Sequence, residues 1–257
     1  MKAAIDAVSL AADLIRGSEY VVAMTGAGMS VESGIPTFRG ADGIWSRHGQ
    51  PSTNSYAEWL EDPDAFWSSE RRRRVEPWIV ELRETLRQAK PNEGHRALAD
   101  MEDSGKVMSV ITQNIDGLHQ DAGSKSVIEI HGSRHKMRCV DCGDRTPRTT
   151  LFIDSPPPPC IECSGRVKFD SVLFGEPIPQ VTLQAARSES DRADCVIVIG
   201  TSTSVKPAGG LPRIAKANGA TLIEINSSET PLTRSCDAVI RGTAASVLPE
   251  LLERLLL

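Results

Sequence analysis

Five times along this chain of 257 residues a short run that reads as a buried strand ends and a small polar or glycine-rich motif follows at once. Tyr20–Met24 leads into Thr25-Gly26-Ala27-Gly28, Val107–Ile111 into Thr112-Gln113-Asn114-Ile115-Asp116, and Val127–Ile130 into His131-Gly132. Cys195–Ile199 leads into Gly200-Thr201-Ser202, and Thr221–Ile225 into Asn226-Ser227. Short runs of this kind, closed by turn formers, read as buried strands. Between them the apolar spacing is helical. Ile5, Val8, Ala12 and Ile15 precede Gly17, and a second helix runs from Pro91-Asn92-Glu93 to about Asp103, ahead of Gly105. Gln180–Ser188 forms a third, and Ala245–Leu256 a last one with Leu248, Leu251, Leu252 and Leu255 inward. Alternation of strands and helices predicts an α/β fold with a parallel sheet. In such a sheet the carboxyl ends of the strands share one edge, where ligands bind. The five motifs are therefore predicted to meet at one site.

Two stretches break the rhythm. Residues 41–89 are rich in Trp, Arg and Glu and read as helical, with turn signals at Pro51 and Pro63. Residues 134–171 hold four cysteines and the tetraproline Pro156–Pro159. Both read as insertions that pack together as a smaller lobe beside a main domain of residues 1–40, 90–133 and 172–257. The run Arg71–Arg74 admits a nucleic-acid reading, but Glu70 and Glu76 flank it, and a solvated helix face is the reading adopted. A net charge of −5, from 29 basic and 34 acidic residues, argues against a nucleic-acid partner. No apolar run reaches membrane-spanning length, and Met1–Asp6 lacks the apolar core of a secretory leader. A cytoplasmic protein is expected, and its six cysteines then read as metal ligands or buried thiols.

Cys139-x-x-Cys142 and Cys160-x-x-Cys163 are separated by 17 residues, within the window for a four-cysteine zinc site. Each Cys-x-x-Cys turn presents two thiolates to one side of a metal, and two turns complete a tetrahedron. Four thiolates leave no open position for water, so the ion is expected to be structural. Cys195, within an apolar strand, reads as core.

Gly26-Ala27-Gly28 permits a tight turn and close backbone approach to a pyrophosphate. A dinucleotide fingerprint also calls for glycine at 31, where Val31 stands, and for an acidic residue closing a second strand that is missing. The loop instead runs on through Ser30, Glu32, Thr37, Phe38 and Arg39, a stretch able to cover a cofactor.

Taken together, GAGMSVESGIPTFRGADGIW at 26–45, TQNIDGLH at 112–119, IEIHG at 128–132, the paired Cys-x-x-Cys, LFGE at 173–176, GTS at 200–202 and INSSETPLT at 225–233 resemble the sirtuins, NAD-dependent protein-lysine deacylases. The resemblance runs from about residue 5 to the end. It implies a Rossmann-like NAD-binding domain and a small lobe made of a helical module and a zinc module, with NAD and acyl-lysine entering the cleft between them. Matched position by position, Gly26, Ala27, Gly28 and Glu32 line the phosphate and nicotinamide-ribose region. Thr37, Phe38, Arg39 and Trp45 belong to the cofactor loop. Gln113, Asn114, Ile115 and Asp116 hold the ribose and the nicotinamide carboxamide. Gly200, Thr201, Ser202, Asn226, Ser227 and Cys236 surround the adenosine half. Val172, Leu173, Phe174 and Gly175 face the substrate, and Cys139, Cys142, Cys160 and Cys163 hold zinc. His131 matches the family's catalytic histidine, with Asn114 and Asp116 as its catalytic companions. The implied products are free lysine, nicotinamide and an O-acyl-ADP-ribose. Histidine, which titrates near neutrality, suits the base that activates a ribose hydroxyl. His95 and His119 read as structural.

Some residues depart from the family pattern. Lys168-Phe169-Asp170-Ser171-Val172 stands where Arg-Pro-Asp/His-Val-Val is usual, and Val205-Lys206-Pro207 where Val-Tyr-Pro is usual. Trp67 and Glu70 occupy the expected place of the Tyr-x-x-Arg pair that admits acidic acyl groups, with Arg71 adjacent. A preference for acetyl over succinyl follows as an expectation. Mono-ADP-ribosyl transfer to protein and a non-catalytic NAD-sensing or zinc-ribbon binding module are the competing readings.

Overall fold

The computed structural model describes residues 6–40, 43–50, 52–73, 77–148 and 156–257, without the side chains of 70–73. Ile5, Pro51, Glu76 and the side chains of Glu70 and Arg71–Arg74, on which the sequence reading drew, lie outside the described residues. Helix α1 (Ala7–Arg16) starts where the Asp6 carboxylate accepts from Ser9 N at 2.9 Å and stops at Gly17. Strand β1 (Val21–Thr25) follows, then four helices: α2 (Ile44–His48), α3 (Ser55–Glu61), α4 (Pro63–Arg73) and α5 (Pro77–Gln88). Helix α6 (Glu93–Asp103) opens on a reciprocal cap: Asn92 Oδ1 accepts from His95 N, and His95 Nδ1 accepts from Asn92 N. Next come β2 (Ser109–Thr112), α7 (Leu118–Asp121), β3 (Val127–Glu129), β4 (Lys136–Cys139), β5 (Arg145–Pro147) and β6 (Val167–Phe169). The chain closes with α8 (Gln180–Arg192), β7 (Cys195–Ile199), α9 (Leu211–Ala217), β8 (Thr221–Asn226), β9 (Ala238–Arg241) and α10 (Ala244–Leu256).

Six strands form one sheet in the order β3-β2-β1-β7-β8-β9, and every pairing is parallel. Both faces are covered at the centre of the sheet, which is why β1 and β7 read as unbroken apolar runs rather than alternating ones. Val21, Ala23, Cys195, Ile197 and Ile199 pack toward Ala12 and Ile15 of α1, Leu98 of α6 and Leu248 and Leu251 of α10. Val22, Met24, Val196 and Val198 face the other way, toward Ala186 of α8 and Leu211 and Ala215 of α9. Successive residues of one strand thus feed two cores. The strand order reverses between β1 and β7, the position at which doubly wound sheets open a crevice.

Four details depart from the sequence expectations. Strand ends move by one or two residues: β1 takes in Thr25, and β2 begins at Ser109. Helix α8 extends beyond Ser188 to Arg192, with buried Ser190 returning its hydroxyl to Ala186 O at 2.8 Å. Strand β9 was not foreseen; it is a four-residue edge strand in which only Ala238 and Ile240 are buried, too little pattern to read. The cysteine segment carries its own antiparallel sheet, β5-β4-β6. Helices α2–α5 and this small sheet stand outside the main sheet and touch each other. The rings of Trp67 and Phe169 lie 4.6 Å apart, and Arg166 lies 5.2 Å from the Trp59 ring.

Candidate active site

The motifs after β1, β2, β7 and β8 are stitched together along the carboxyl edge of the sheet. Gln113 N donates to Thr25 O at 3.0 Å, Gly28 N to Gly200 O at 2.8 Å, and Gly200 N to Ile225 O at 2.9 Å. Side chains continue the seam: Gln113 Nε2 donates to Thr201 Oγ1 at 2.8 Å, and Asn226 Nδ2 to Thr201 O at 3.2 Å. Ala27, Ser202 and Ser227 follow in these same turns, with both serines exposed. A Cβ on Gly28 would stand 2.7 Å from Gly200 Cα, and one on Gly26 would stand 2.6 Å from Thr201 Cβ. The meeting of two loops thus constrains these glycines in addition to the tight turn and the pyrophosphate approach expected from the sequence.

Asn114 and Asp116 are buried beside this seam. Asn114 Nδ2 donates to Gly26 O at 3.0 Å and to Ser30 Oγ at 3.1 Å. Both of its amide hydrogens are therefore engaged, and Asn114 can offer a ligand only its acceptor Oδ1. Ser30 Oγ passes its own hydrogen to Asp116 Oδ2 at 2.7 Å, and Asp116 Oδ1 accepts from Leu118 N at 3.0 Å. These bonds fix the carboxylate and leave it lone pairs for another donor. Ile115, between them, is half-buried. The pair presents acceptors, which suits the amino group of a carboxamide. Ser30 was missed as a site residue. Its only signal was a small hydroxyl in a loop already full of glycine and serine.

His131 follows β3, and its Nδ1 lies 3.2 Å from Gln113 O. A carbonyl can only accept, so Nδ1 carries the hydrogen and Nε2 keeps its lone pair. Burial pushes the imidazole below its ordinary value, with the bond to Gln113 O opposing. The ring is therefore neutral, and basic at Nε2, at pH 7. Its own carbonyl accepts from Val172 N at 2.9 Å, which brings the Val172–Gly175 segment beside it.

The four cysteine sulfurs lie within 4.8 Å of one another, with Cys139–Cys163 at 3.6 Å and Cys142–Cys160 at 3.7 Å. Zinc–sulfur bonds of about 2.3 Å in a tetrahedron place sulfurs about 3.8 Å apart. The cluster fits one zinc ion, held by β4 and the two turns and closed to water.

A Sir2 family model matches residues 26–207. The chain belongs to the Sir2 family. It is 42% identical over 246 residues to the NAD-dependent protein deacylase 2 of Pyrobaculum aerophilum, covering 94% of this chain and 93% of that protein. A solved Sir2 homologue in complex with NAD superposes with a TM-score of 0.77 at 40% identity, over 96% of this chain and 93% of the other. A Sir2 protein solved with a p53 peptide and NAD gives 0.75 at 35% identity, over 94% and 95%.

The remaining Sir2 positions fall into place unevenly. Thr37 Oγ1 donates to Arg39 O, and Trp45 N reaches back to Phe38 O. The Trp45 ring is the hub: Phe38 and Phe174 each lie 5.4 Å from it, and the Arg39 guanidinium 5.0 Å. The expected cofactor loop is thereby joined to the expected substrate segment, where Tyr56 N also reaches Phe174 O at 3.0 Å, Leu173 is half-buried and Gly175 exposed. Glu32 stands apart. Its carboxylate accepts from Thr243 Oγ1 and from Ala245 N, each at 2.9 Å, so it closes the N-terminus of α10. Cys236 is half-buried, its thiol bonded to Leu232 O at 3.5 Å and pushed up to about 11 by burial. His95 and His119 lie edge to face 4.9 Å apart, lowered to about 4 and about 3 by burial, and His119 Nε2 meets Thr25 Oγ1 at 3.0 Å. Trp67 is buried against Phe169; Glu70 and Arg71, the other side chains of the acyl-selectivity expectation, are outside the described set.

Proposed function

We propose that this Sir2 chain is an NAD-dependent protein-lysine deacylase that moves the acyl group from lysine to ADP-ribose with release of nicotinamide. The observation that carries the reading is the 3.2 Å contact of His131 Nδ1 with Gln113 O, which leaves Nε2 as the free base at the sheet edge that also holds Asn114 and Asp116. NAD, when bound, supplies the ADP-ribosyl acceptor by giving up nicotinamide. The chain's own residues do the rest. Asn114 Oδ1 and the Asp116 carboxylate orient the carboxamide, because an unpaired amide in a dry pocket is costly. The Gly26 and Gly200 turns and Asn226 form the bed for the rest of the dinucleotide. Phe38, Trp45 and Phe174 exclude water, and holding both reactants in line supplies much of the acceleration. His131 Nε2 accepts the proton of a ribose hydroxyl.

Under this reading residues 1–40, 90–133 and 172–257 form the NAD-binding domain. Residues 41–89 and 134–171 form the smaller lobe, and acyl-lysine peptides enter between the two. Cytoplasmic residence is supported by the gathering of Cys139, Cys142, Cys160 and Cys163 into a metal-ligand cluster, the use cysteines most often have in reducing compartments. No helix among the described residues is long and apolar enough to cross a membrane. The net charge of −5 supports a partner other than nucleic acid.

The test combines labelled NAD with acetyl- and succinyl-lysine peptides and reads the products by mass spectrometry. Wild type is expected to give O-acetyl-ADP-ribose in preference to the succinyl product. His131→Ala is expected to lose turnover by about a thousandfold while NAD binding stays within about threefold. Label retained on protein would favour ADP-ribosyl transfer, and full activity in His131→Ala refutes the base assignment.

A further inference from the structure

Beneath the Val172–Gly175 segment lies a buried cluster of charges that the reaction does not use. Arg138 on β4 donates from Nε to Asp170 Oδ1 at 3.1 Å and from Nη2 to Glu176 Oε1. Arg145 on β5 reaches Asp170 Oδ1 at 3.0 Å, and Ser133 N donates to Asp170 Oδ2 at 3.1 Å. Lys168 on β6 reaches Glu176 Oε2 at 2.9 Å, with the lysine side chain 3% and the glutamate 2% exposed. Ions this deep need partners for every donor, since desolvation otherwise outweighs the attraction.

Lys168 meets that demand in a particular way. Its ammonium also donates to Phe169 O and Ser171 O, each at 2.7 Å, so all three N–H groups are used. Two of the three oxygens belong to the backbone leading into the substrate segment. The third belongs to Glu176, which itself accepts from Leu173 N at 2.8 Å. One ammonium thus gathers both ends of the 169–176 turn. Burial pulls Lys168 down to about 8 while Glu176 and Asp170 hold it up and Arg138 opposes them, so it carries its charge at pH 7. The turn it fixes is bonded to the catalytic histidine through Val172 N and His131 O.

We infer that Lys168 is a positioning residue for the acyl-lysine peptide: with Glu176 it holds segment 171–175 in register against His131, and peptide binding depends on it while cofactor binding does not. The inference rests on the reading that Val172, Leu173, Phe174 and Gly175 face the substrate. The NAD seam involves Thr25, Gly28, Gln113, Gly200 and Thr201, none of which touches the Lys168 ammonium.

Lys168→Met keeps an unbranched apolar stem one atom shorter and removes the three donors. Steady-state kinetics with an acetyl-lysine peptide at saturating NAD should show peptide KM raised about tenfold, with kcat and KM for NAD within about twofold. Lys168→Arg restores charge and donors and should recover part of that loss. Where Lys168→Met yields no folded protein, Glu176→Gln carries the same test, since it strips the ammonium of its anion. An unchanged peptide KM, or a KM for NAD that rises in step with it, overturns the inference. Failure of the wild type to consume acyl-lysine peptides at all would instead remove the deacylase reading beneath it.

Discussion

A single bond decides what His131 can do. Because Gln113 O accepts from Nδ1, the free lone pair is at Nε2, and burial keeps that nitrogen unprotonated down to a pH below the ordinary 6.5. With His131 as the proposed base, protonation in acid removes it, so the rate of the chemical step should fall as pH drops through the lowered value. We expect kcat/KM to be flat across neutral pH with an acid limb centred below 6.5. A limb at or above 6.5 in the pH profile of the wild type would place the base elsewhere. Ser30 shows the opposite case for legibility. It bridges Asn114 and Asp116, yet a serine between glycines in a loop is too common to single out. His131 could be picked out because it follows a strand at the edge shared by the other motifs and matches the catalytic histidine of the family pattern. Lys168 could be noticed only as an unusual residue, since its three acceptors include carbonyls whose direction no sequence pattern reveals.

At the scale of elements, the site exists because two turns after parallel strands are small enough to touch. Gly28 and Gly200 approach so closely that a methyl group on Gly28 would meet Gly200 Cα at 2.7 Å and Gly200 O at 2.9 Å. Both are backbone atoms, so neither can swing aside as a side chain can. Gly28→Ala should therefore destabilise the fold by about 1–3 kcal/mol through overpacking. In a protein of this size that lowers Tm by about 2–10 °C. Gly210→Ala is the control: that position is in the right-handed helical region with open space around its Cβ, so its Tm should change little. Calorimetry of the two variants checks this, and equal Tm values would mean that the contact between the turns is soft. Strands β1 and β7 were legible because burial on both faces forces continuous apolar runs, and β8 because only the buried Glu224 interrupts its apolar middle. Edge strand β9, half exposed, and the short strands of the cysteine segment carry no such run.

Across the whole molecule, the four-cysteine cluster and the segment proposed to face the substrate are two ends of one small sheet. Cys139 closes β4, and the neighbouring Arg138 reaches down to Asp170 and Glu176. The cysteine spacing announced a metal, but not that its sheet supports the wall that meets His131, because that link runs through ion pairs between residues 32 and 38 positions apart. The segment has little core of its own: of β5 all three residues are exposed, and on β6 only Lys168 is fully buried. Its order must come largely from the metal, whose binding free energy in small zinc modules is about 10 kcal/mol. The main sheet, by contrast, has two apolar layers that owe nothing to the cysteines. Chelation should therefore act regionally. Amide exchange at Lys136–Cys139 and Val167–Phe169 should speed up by about a hundredfold or more, while Val21–Thr25 and Cys195–Ile199 stay protected. Exchange measured by mass spectrometry with and without chelator, alongside sulfur-to-zinc stoichiometry, separates the two regions. Uniform loss of protection across both sheets would mean that the metal holds the entire fold, and no change in either would mean that the four thiols hold their turns unaided.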